Sequence, residues 1–329
     1  MKYLSLPDES LRRLPFYLAM EEYAARNSNE EIFFMWQVAP TVIFGRNQLI
    51  ENEVNIDYCR RNNIQTYRRK SGGGCVFADM SNIMFSYIVS SDHVSTMFLD
   101  YTSHVTEMLR SLGLDANATG RNDIFIGNKK VSGNAFYHVP GRSIVHGTML
   151  YDTDLEYMTN AISPSKEKLS SKGVESVRNR ITTLNQHLDM SIEDFKAYAR
   201  KYMCGDNEII LNADDVRAIE EMAEPYYKNE WIFGKNPRCS KSIRKRIEGV
   251  GEFQVELELK ANKIIGINMS GDFFLLSDID ENLFRHIIGS DYTPEAIEKS
   301  LADVDLPNII HGLTKQQFIS LIFHQNGRE

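Results

Sequence analysis

Three consecutive glycines follow paired arginines in the stretch RRKSGGGC, residues 68–75. Glycine has the highest backbone-entropy cost on folding, so Gly72, Gly73 and Gly74 are expected where another group comes close to the main chain. A Walker-type phosphate loop or a dinucleotide fingerprint would need a helix after the glycines. The residues that follow, CVF and NIMFSYIV, predict strands instead, so the glycines join strand to strand and neither nucleotide motif fits.

Lys130 lies in a second stretch that could do chemistry, KKVSGNA at 129–135. The three residues after it are small and leave room for a ligand near its ammonium group. Lysine suits phosphate and developing negative charge, and arginine presents a planar fork to phosphate oxygens. Lys130 and Arg69 together could therefore bind a nucleotide phosphate and stabilise an acyl-phosphate transition state. A single lysine is far more often a solvated surface charge, so this pattern alone does not decide.

Polar and aromatic residues elsewhere in the first half offer further chemistry. Asn122 and Asp123 supply an amide and a carboxylate that could bind Mg²⁺ beside a phosphate, although Asn-Asp is also common in turns. His146 could orient a substrate or act as a base, but it is equally consistent with a packed strand histidine. Trp36 and Phe77 suit the walls of a pocket as well as a hydrophobic core.

A mixed sheet with helices must position these residues. Apolar residues at helical spacing predict helices at 16–26 and 95–113, and alternating or β-branched runs predict strands between them. The predicted strands are KYLSL, EIFFMWQV, PTVIFG, NIQTYRR, CVF, NIMFSYIV, NDIFIG, KKVSGNAFYH and SIVHGTMLY. The expected fold class is therefore α+β.

The second half begins with a polar stretch at 163–184, where five basic residues face two acidic ones. Such a stretch is typical of a solvated surface or of a loop that awaits a ligand. Capping patterns then predict helices in SIEDFKAYARKY and NADDVRAIEEMAEPYY. The basic run at 235–246 is interpreted as a linker, which predicts domains at 1–245 and 250–329. After it, we expect a meander of three strands with turns at 261–262 and 270–272, followed by helices.

Composition excludes several classes of protein. A length of 329 residues with 42% apolar residues suits two ordinary domains, and no apolar run is long enough to span a bilayer. A net charge of −8 disfavours general affinity for nucleic acids. Four cysteines without a C-x-x-C pair argue against a zinc site or a disulfide framework. The N-terminus has neither an apolar signal region nor a cleavage site, so we expect a cytoplasmic protein without a membrane segment.

Several of these stretches, taken in order, resemble the lipoate-protein ligase family. The matching stretches are LPFYLAMEE, PTVIFGRNQ, EVN, RRKSGGGCVFADMSN, TGRNDI, KKVSGNA and HGTML, and KEKLSSKGVESVRNRITTL resembles the adenylate-binding loop of that family. The resemblance covers essentially the whole chain. It implies a catalytic domain of the biotin/lipoate ligase type and a small α+β C-terminal accessory domain.

The resemblance also implies an activity. Lipoate and ATP with Mg²⁺ would give lipoyl-AMP, and the lipoyl group would pass to one lysine of a lipoyl domain. The expected acceptors are acyltransferase subunits of 2-oxoacid dehydrogenases and the glycine cleavage H protein, and the ligase is expected to act as a monomer. Lys130 would be the essential lysine, and Asp123 a ligand of Mg²⁺. The other implied residues of the lipoyl and adenylate sites are Glu21, Trp36, Arg69, Ser71, Gly72, Gly73, Gly74, Val76, Phe77, Asn82, Asn122, Asp123, Ala135 and His146.

One position departs from the family pattern, and three other functions stay open. The family usually has His before Asp after the glycines, whereas this chain has Ala78-Asp79. An octanoyl or lipoyl transferase of the same fold would need a nucleophilic thiolate, and Cys75 is the cysteine that directly follows the glycines. A biotin ligase would have a different sequence in its glycine loop and in its lysine segment. A lipoyl-binding module without ATP chemistry is the remaining alternative.

Overall fold

The computed structural model describes residues 1–90, 94–118, 122–162, 180–233 and 241–323. The chain divides into two compact units. The first unit comprises Met1–Phe44, Ile50–Arg69 and Cys75–Ile232, and the second comprises Gly45–Leu49, Lys70–Gly74 and Phe233–Glu329. The stretch at 163–179, residues 235–240 of the basic run, and residues 119–121 of the TGRNDI motif lie outside the described residues.

The first unit contains a large mixed sheet and a smaller one. Its strands are β1 Lys2–Ser5, β2 Ile32–Trp36, β3 Thr41–Phe44, β4 Gln65–Arg68, β5 Val76–Ala78, β6 Asn82–Val89, β7 Ala116–Ala118, β8 Asp123–Ile126, β9 Lys129–Val139, β10 Arg142–Leu150 and β11 Glu208–Ile210. The large sheet has the strand order β11-β1-β2-β6-β10-β9-β8-β7, and the small sheet has the order β4-β3-β5. Every predicted strand of this part is present, while β7 and β11 were not predicted.

Helices pack around these sheets. They are α1 Leu14–Asn27, α2 Ile50–Glu53, α3 Ile56–Arg61, α4 Val94–Ser111, α5 Leu155–Ala161, α6 Ile192–Cys204, α7 Ala213–Ala223 and α8 Asn229–Ile232. The predicted caps of α6 and α7 are confirmed: the Ser191 side chain accepts from the Asp194 N–H, and Asn212 forms a capping box with Asp215. Within the described ranges, no helix is long and apolar enough to cross a membrane.

One face of the large sheet collects side chains in two neighbouring rows. Because directly opposed residues of neighbouring strands point to the same side, the register places Phe34, Ser86, His146 and Ala135 in one row. The next row contains Trp36, Met84, Thr148, Gly133 and Asp123. The rows share a face because their members are two residues apart along each strand.

A register shift in β9 brings Lys130 onto this same face. Ile124 lies opposite Ser132, but the next residue, Phe125, lies opposite Lys130, so β9 contains one extra residue at this point. Without that residue, Lys130 and Gly133 would point to opposite faces, because side chains alternate along a strand. The bulge therefore decides on which side of the sheet the Lys130 ammonium group lies.

The second unit has its own core and a three-stranded antiparallel sheet. Its strands are β12 Lys241–Ile247, β13 Gly251–Lys260 and β14 Lys263–Asp272, in that order. Its helices are α9 Arg285–Ile287, α10 Pro294–Ser300 and α11 Lys315–Ile322, and a π-helical turn spans Asp280–Phe284. The buried core is built from apolar residues of both the sheet and the helices, such as Phe253, Leu283 and Phe318.

Two details of the predicted meander are wrong. The turn at 261–262 is present, with Ala261 and Asn262 both in the left-handed region. The turn predicted at 270–272 is absent, because Gly271 lies within β14 opposite Phe253. The third strand of the sheet precedes β13 in the chain. The basic residues from Lys241 onward form this strand, β12, and pair with β13 instead of forming a linker.

Candidate active site

A buried carboxylate on α1 connects side chains from three strands of the large sheet. Glu21 is fully buried, and its Oε1 accepts a hydrogen bond of 2.5 Å from the Ser86 hydroxyl group. Its Oε2 lies 2.9 Å from Nδ1 of His146 and accepts from the Tyr137 hydroxyl at 3.4 Å. An ionised carboxylate only accepts, so with Glu21 ionised this contact requires the proton of the His146 ring on Nδ1.

Trp36 belongs to the same network. Its indole Nε1 donates to the Ser86 hydroxyl at 2.8 Å, and its ring stacks on Tyr17 with the centroids 5.0 Å apart. Burial, and then the nearby Glu21 carboxylate, raise the pKa of Tyr137 well above its usual value, so this hydroxyl stays protonated and can donate. The network holds both Trp36 and His146 in fixed orientations inside the unit.

Away from the buried network around Glu21, the same face of the sheet carries an ion pair that is open to solvent. Nζ of Lys130 lies 2.8 Å from Oδ1 of Asp123, and these side chains are 35% and 25% exposed. Asn122 is tied to β9 because its Nδ2 donates to the Asn134 carbonyl and its own carbonyl accepts from Nδ2 of Asn134. This end therefore presents an ammonium group beside a carboxylate where a charged ligand can reach both.

Asn82 and Ala135 are also buried in the first unit. The side-chain oxygen of Asn82 accepts from the Thr153 hydroxyl, whereas its Nδ2 is buried and finds no acceptor among the described residues. A buried donor without a partner is uncommon in folded proteins. Ala135 lies next to Gly133 on the same face and directly opposite His146.

Three predicted residues lie on or beside the small sheet. Arg69 follows β4, is 5% exposed, and donates from Nη1 to the Ile43 carbonyl at 3.1 Å. Val76 and Phe77 belong to β5, and the Phe77 ring meets Tyr157 edge to face at 5.6 Å. Ala78, which occupies the position of the family's usual histidine, is fully buried in the same core.

The glycine loop, residues Lys70–Gly74, belongs to the second unit. Gly73 donates its N–H to the Phe273 carbonyl at 3.0 Å, and a Cβ built on Gly72 would lie 2.2 Å from that same oxygen. The Ser71 carbonyl accepts from the Arg46 N–H at 2.9 Å. A close approach is thus present at Gly72, where the approaching group is main chain of the same unit, whereas the predicted slot for an acyl-adenylate along the glycines stays a prediction.

Substitution of Gly72 by alanine is therefore expected to lower the stability of the second unit. The added methyl group meets backbone atoms that cannot move away as a side chain would, so we expect a loss of about 1–3 kcal/mol. Gly74→Ala is the matched control, because its Cβ would contact only the Asp272 side chain at 3.5 Å. Calorimetry on the full chain should show a lower melting temperature for Gly72→Ala alone. Equal melting temperatures for the two variants would contradict this account.

The described cysteines lack the features of a nucleophile. Burial raises the pKa of Cys59 and of Cys204 to about 11 and raises that of Cys75 well above its usual value. A thiol with a raised pKa carries little thiolate at neutral pH, and the thiolate is the reactive form. Cys239 lies outside the described residues.

The predicted residues thus fall into three groups. The residues that come together around one face of the large sheet are Glu21, Trp36, Asn82, Asp123, Lys130, Ala135 and His146, and Asn122 lies beside β9 next to Asp123. Arg69, Val76 and Phe77 lie at the small sheet, and Ser71 and Gly72–Gly74 lie in the second unit. No local pattern in the sequence marks Ser86, Tyr137 or Asn134, because each completes a network formed by distant segments.

Family models match both parts of the chain. The Lipoyl protein ligase A/B catalytic domain matches residues 14–203, and the Bacterial lipoate protein ligase C-terminus matches residues 236–322. Lipoate-protein ligase LplJ of Bacillus subtilis is 32% identical over 320 residues, which cover 93% of this chain and 96% of the relative. Lipoate-protein ligase 1 of Staphylococcus aureus is 34% identical over 331 residues, which cover 98% and 100%.

Solved structures agree with these matches. A bipartite lipoate protein ligase of Thermoplasma acidophilum, studied with its E2 lipoyl domain, superposes with a TM-score of 0.65 at 27% identity, covering 73% of this chain and 98% of that one. A lipoate-protein ligase A bound with ATP gives a TM-score of 0.62 at 26% identity, covering 71% and 98%. The expected α+β fold is confirmed. The chain belongs to the lipoate-protein ligase family, and it is a ligase.

Proposed function

We propose that this enzyme joins lipoate to acceptor proteins in two steps. In the first, a carboxylate oxygen of lipoate attacks the α-phosphorus of ATP, so that lipoyl-AMP forms and pyrophosphate leaves. In the second, the amino group of an acceptor lysine attacks the acyl carbon, so that an amide forms and AMP leaves. The ATP-bound relative and the names of the curated relatives support the choice of both substrates.

The observation that carries this proposal is that one face of the large sheet has a charged end open to solvent and a second end that is buried. Lys130 and Asp123 form a charged end that solvent reaches, and Trp36, Glu21 and His146 form a buried end. Gly133 and Trp36 lie in one row across four strands, which spans about 14 Å at the usual strand spacing. A molecule with a long tail and an anionic head has the matching length, with its head at the Lys130 ammonium group.

The charges suggest how the first step is accelerated. Negative charge grows on the phosphate oxygens as the carboxylate adds, and an ammonium group placed there in advance lowers the barrier. Lys130 would supply that group, with its position fixed by Asp123 at 2.8 Å. Asn82, whose Nδ2 is buried and has no partner among the described residues, would donate to the bound nucleotide.

The donor set at this end is compatible with Mg²⁺. Magnesium in such enzymes is usually held by one or two carboxylates together with substrate phosphates, and Asp123 is a carboxylate in that position. When bound, Mg²⁺ would neutralise phosphate charge and polarise the phosphorus–oxygen bonds. Lys130 would then bind the phosphate oxygens, and Asp123 would bind Mg²⁺ beside them.

We further propose that the two parts of the chain have different roles. Residues 1–245 would form the adenylate and transfer the acyl group, and residues 250–329 would form the accessory domain. The two family matches, at 14–203 and 236–322, support a catalytic part followed by an accessory part, and the second match begins at residue 236, ahead of β12. The proposed acceptors are lipoyl domains, as in the archaeal relative studied with its E2 lipoyl domain, and the glycine cleavage H protein.

ATP–pyrophosphate exchange with a panel of acids tests the proposal. We expect exchange that depends on lipoate or on a close analogue such as octanoate, and none with biotin. A thiol-dependent transferase is the competing reaction, and Cys75→Ser separates the two. Because the pKa of Cys75 is raised by burial, we expect this variant to retain adenylation and protein lipoylation within about twofold. Absence of acid-dependent exchange in the wild type, or loss of acyl transfer in Cys75→Ser, would refute the proposal.

A further inference from the structure

The space that the Lys130 side chain occupies is created by a glycine on the same strand. A Cβ built on Gly133 would lie 2.8 Å from Nζ of Lys130 and 2.9 Å from its Cε. These distances are shorter than real Cβ contacts allow, so any other residue at this position would displace the end of the lysine side chain. The same Cβ would lie 3.7 Å from Oδ1 of Asp123, which is an ordinary contact.

This contact arises from the bulge in β9. The extra residue places Lys130 on the face that Gly133 and Asp123 share, and Asp123 lies directly opposite Gly133. The lysine side chain therefore runs along its own strand, over Gly133, to reach the carboxylate on the neighbouring strand. An unbulged strand would put the two residues on opposite faces, where the identity of residue 133 could not affect the lysine.

We propose that Gly133 is a positioning residue for the adenylation reaction, because its missing side chain allows the Lys130 ammonium group to lie against Asp123. This inference rests on the proposed function of Lys130. Gly133 would act through the position that it allows the lysine side chain to take.

The cost of a side chain at this position falls on catalysis and not on folding. The atoms in the way are the flexible, partly exposed end of a lysine, which can swing toward solvent without disturbing the sheet. Gly133 is also outside the left-handed region, so alanine fits its backbone. A displacement of about 1 Å at a reacting group can reduce a rate by about 100-fold.

The first test is Gly133→Ala in the full-length enzyme. We expect lipoate-dependent ATP–pyrophosphate exchange to fall roughly 10- to 100-fold in kcat, with the melting temperature unchanged. Gly266→Ala is the matched control, because it makes the same change inside strand β14, where the new Cβ would meet Glu258 at an ordinary 3.4 Å. This control should retain the wild-type rate. An unaltered rate in Gly133→Ala would overturn the inference.

A second measurement follows the lysine directly and needs no turnover. NMR of enzyme labelled with ¹³C at the lysine Cε, with the Lys130 signal assigned by its loss in Lys130→Ala, should show that this signal moves in Gly133→Ala and stays in Gly266→Ala. A slow Gly133→Ala enzyme with an unmoved Lys130 signal would also overturn the inference. If the wild type shows no acid-dependent exchange, the proposed function fails, whereas the NMR comparison still decides whether Gly133 positions the lysine.

Discussion

Lys130→Ala is expected to reduce lipoate-dependent ATP–pyrophosphate exchange by roughly 10²–10³-fold, the usual effect of removing one preorganised group that stabilises transition-state charge. The fold should persist, because Lys130 and Asp123 are both partly exposed, and exposed ion pairs contribute about 1 kcal/mol or less. The decrease should appear in kcat, since the charge that the ammonium group meets is greatest in the transition state. Initial rates at saturating ATP and lipoate measure it.

Two variants make this experiment specific. Lys129→Ala removes the neighbouring exposed lysine and should leave exchange unchanged, because Lys129 lies outside the ion pair with Asp123. Lys130→Arg retains the charge but replaces a compact ammonium group by a wide planar fork, so it should recover little activity. Wild-type exchange in Lys130→Ala, or equal losses in Lys129→Ala and Lys130→Ala, would show that the phosphate is bound elsewhere.

Glu21→Ala is expected to destabilise the first unit by about 3–5 kcal/mol, because it leaves buried donors without an acceptor and removes most of a fully buried side chain. The substitution would leave His146, Ser86 and Tyr137 without the carboxylate that accepts from all three. It also leaves a cavity under α1, because the side chain is fully buried. Urea unfolding followed by tryptophan fluorescence measures this effect, since Trp36 and Trp231 both lie in the first unit.

A solvated helical ion pair provides the control for this prediction. Glu193 pairs with Lys196 at 2.9 Å on α6, and the glutamate side chain is 72% exposed. Water can solvate Lys196 once its partner is removed, so Glu193→Ala should cost about 1 kcal/mol or less. Equal destabilisation by both substitutions would mean that the network around Glu21 contributes nothing beyond a solvated helical pair.

The fold class and most elements could be predicted from the sequence because their signals are local. α1 follows the spacing of its apolar residues, and α6 and α7 begin at Ser191 and Asn212, whose side chains cap nearby N–H groups. The strands that carry the site are long and rich in β-branched and aromatic residues, as β6 and β10 show. Such patterns need no information from distant parts of the chain.

The elements that were missed depend on partners elsewhere in the chain. β7 and β11 have three residues each, too few to show a period, and they exist because a longer strand pairs with them. β12 was interpreted as a linker because its charged residues resemble a solvated run. Its apolar positions, Ile243 and Ile247, are buried against the second unit, which a reading of local composition overlooks.

The sequence by itself determined the family, and the order of the motifs around Lys130, Asp123 and the glycines already named the candidate reactive groups. The tertiary structure alone decided how those groups are arranged. The bulge places the Lys130 side chain over Gly133. Helix α1 places Glu21 next to His146, which is 125 positions away in the sequence. Gly72 must lack a side chain because of the Phe273 carbonyl on a remote segment of the same unit. Short-range patterns cannot encode such contacts, because strand register and packing bring together residues that are far apart along the chain.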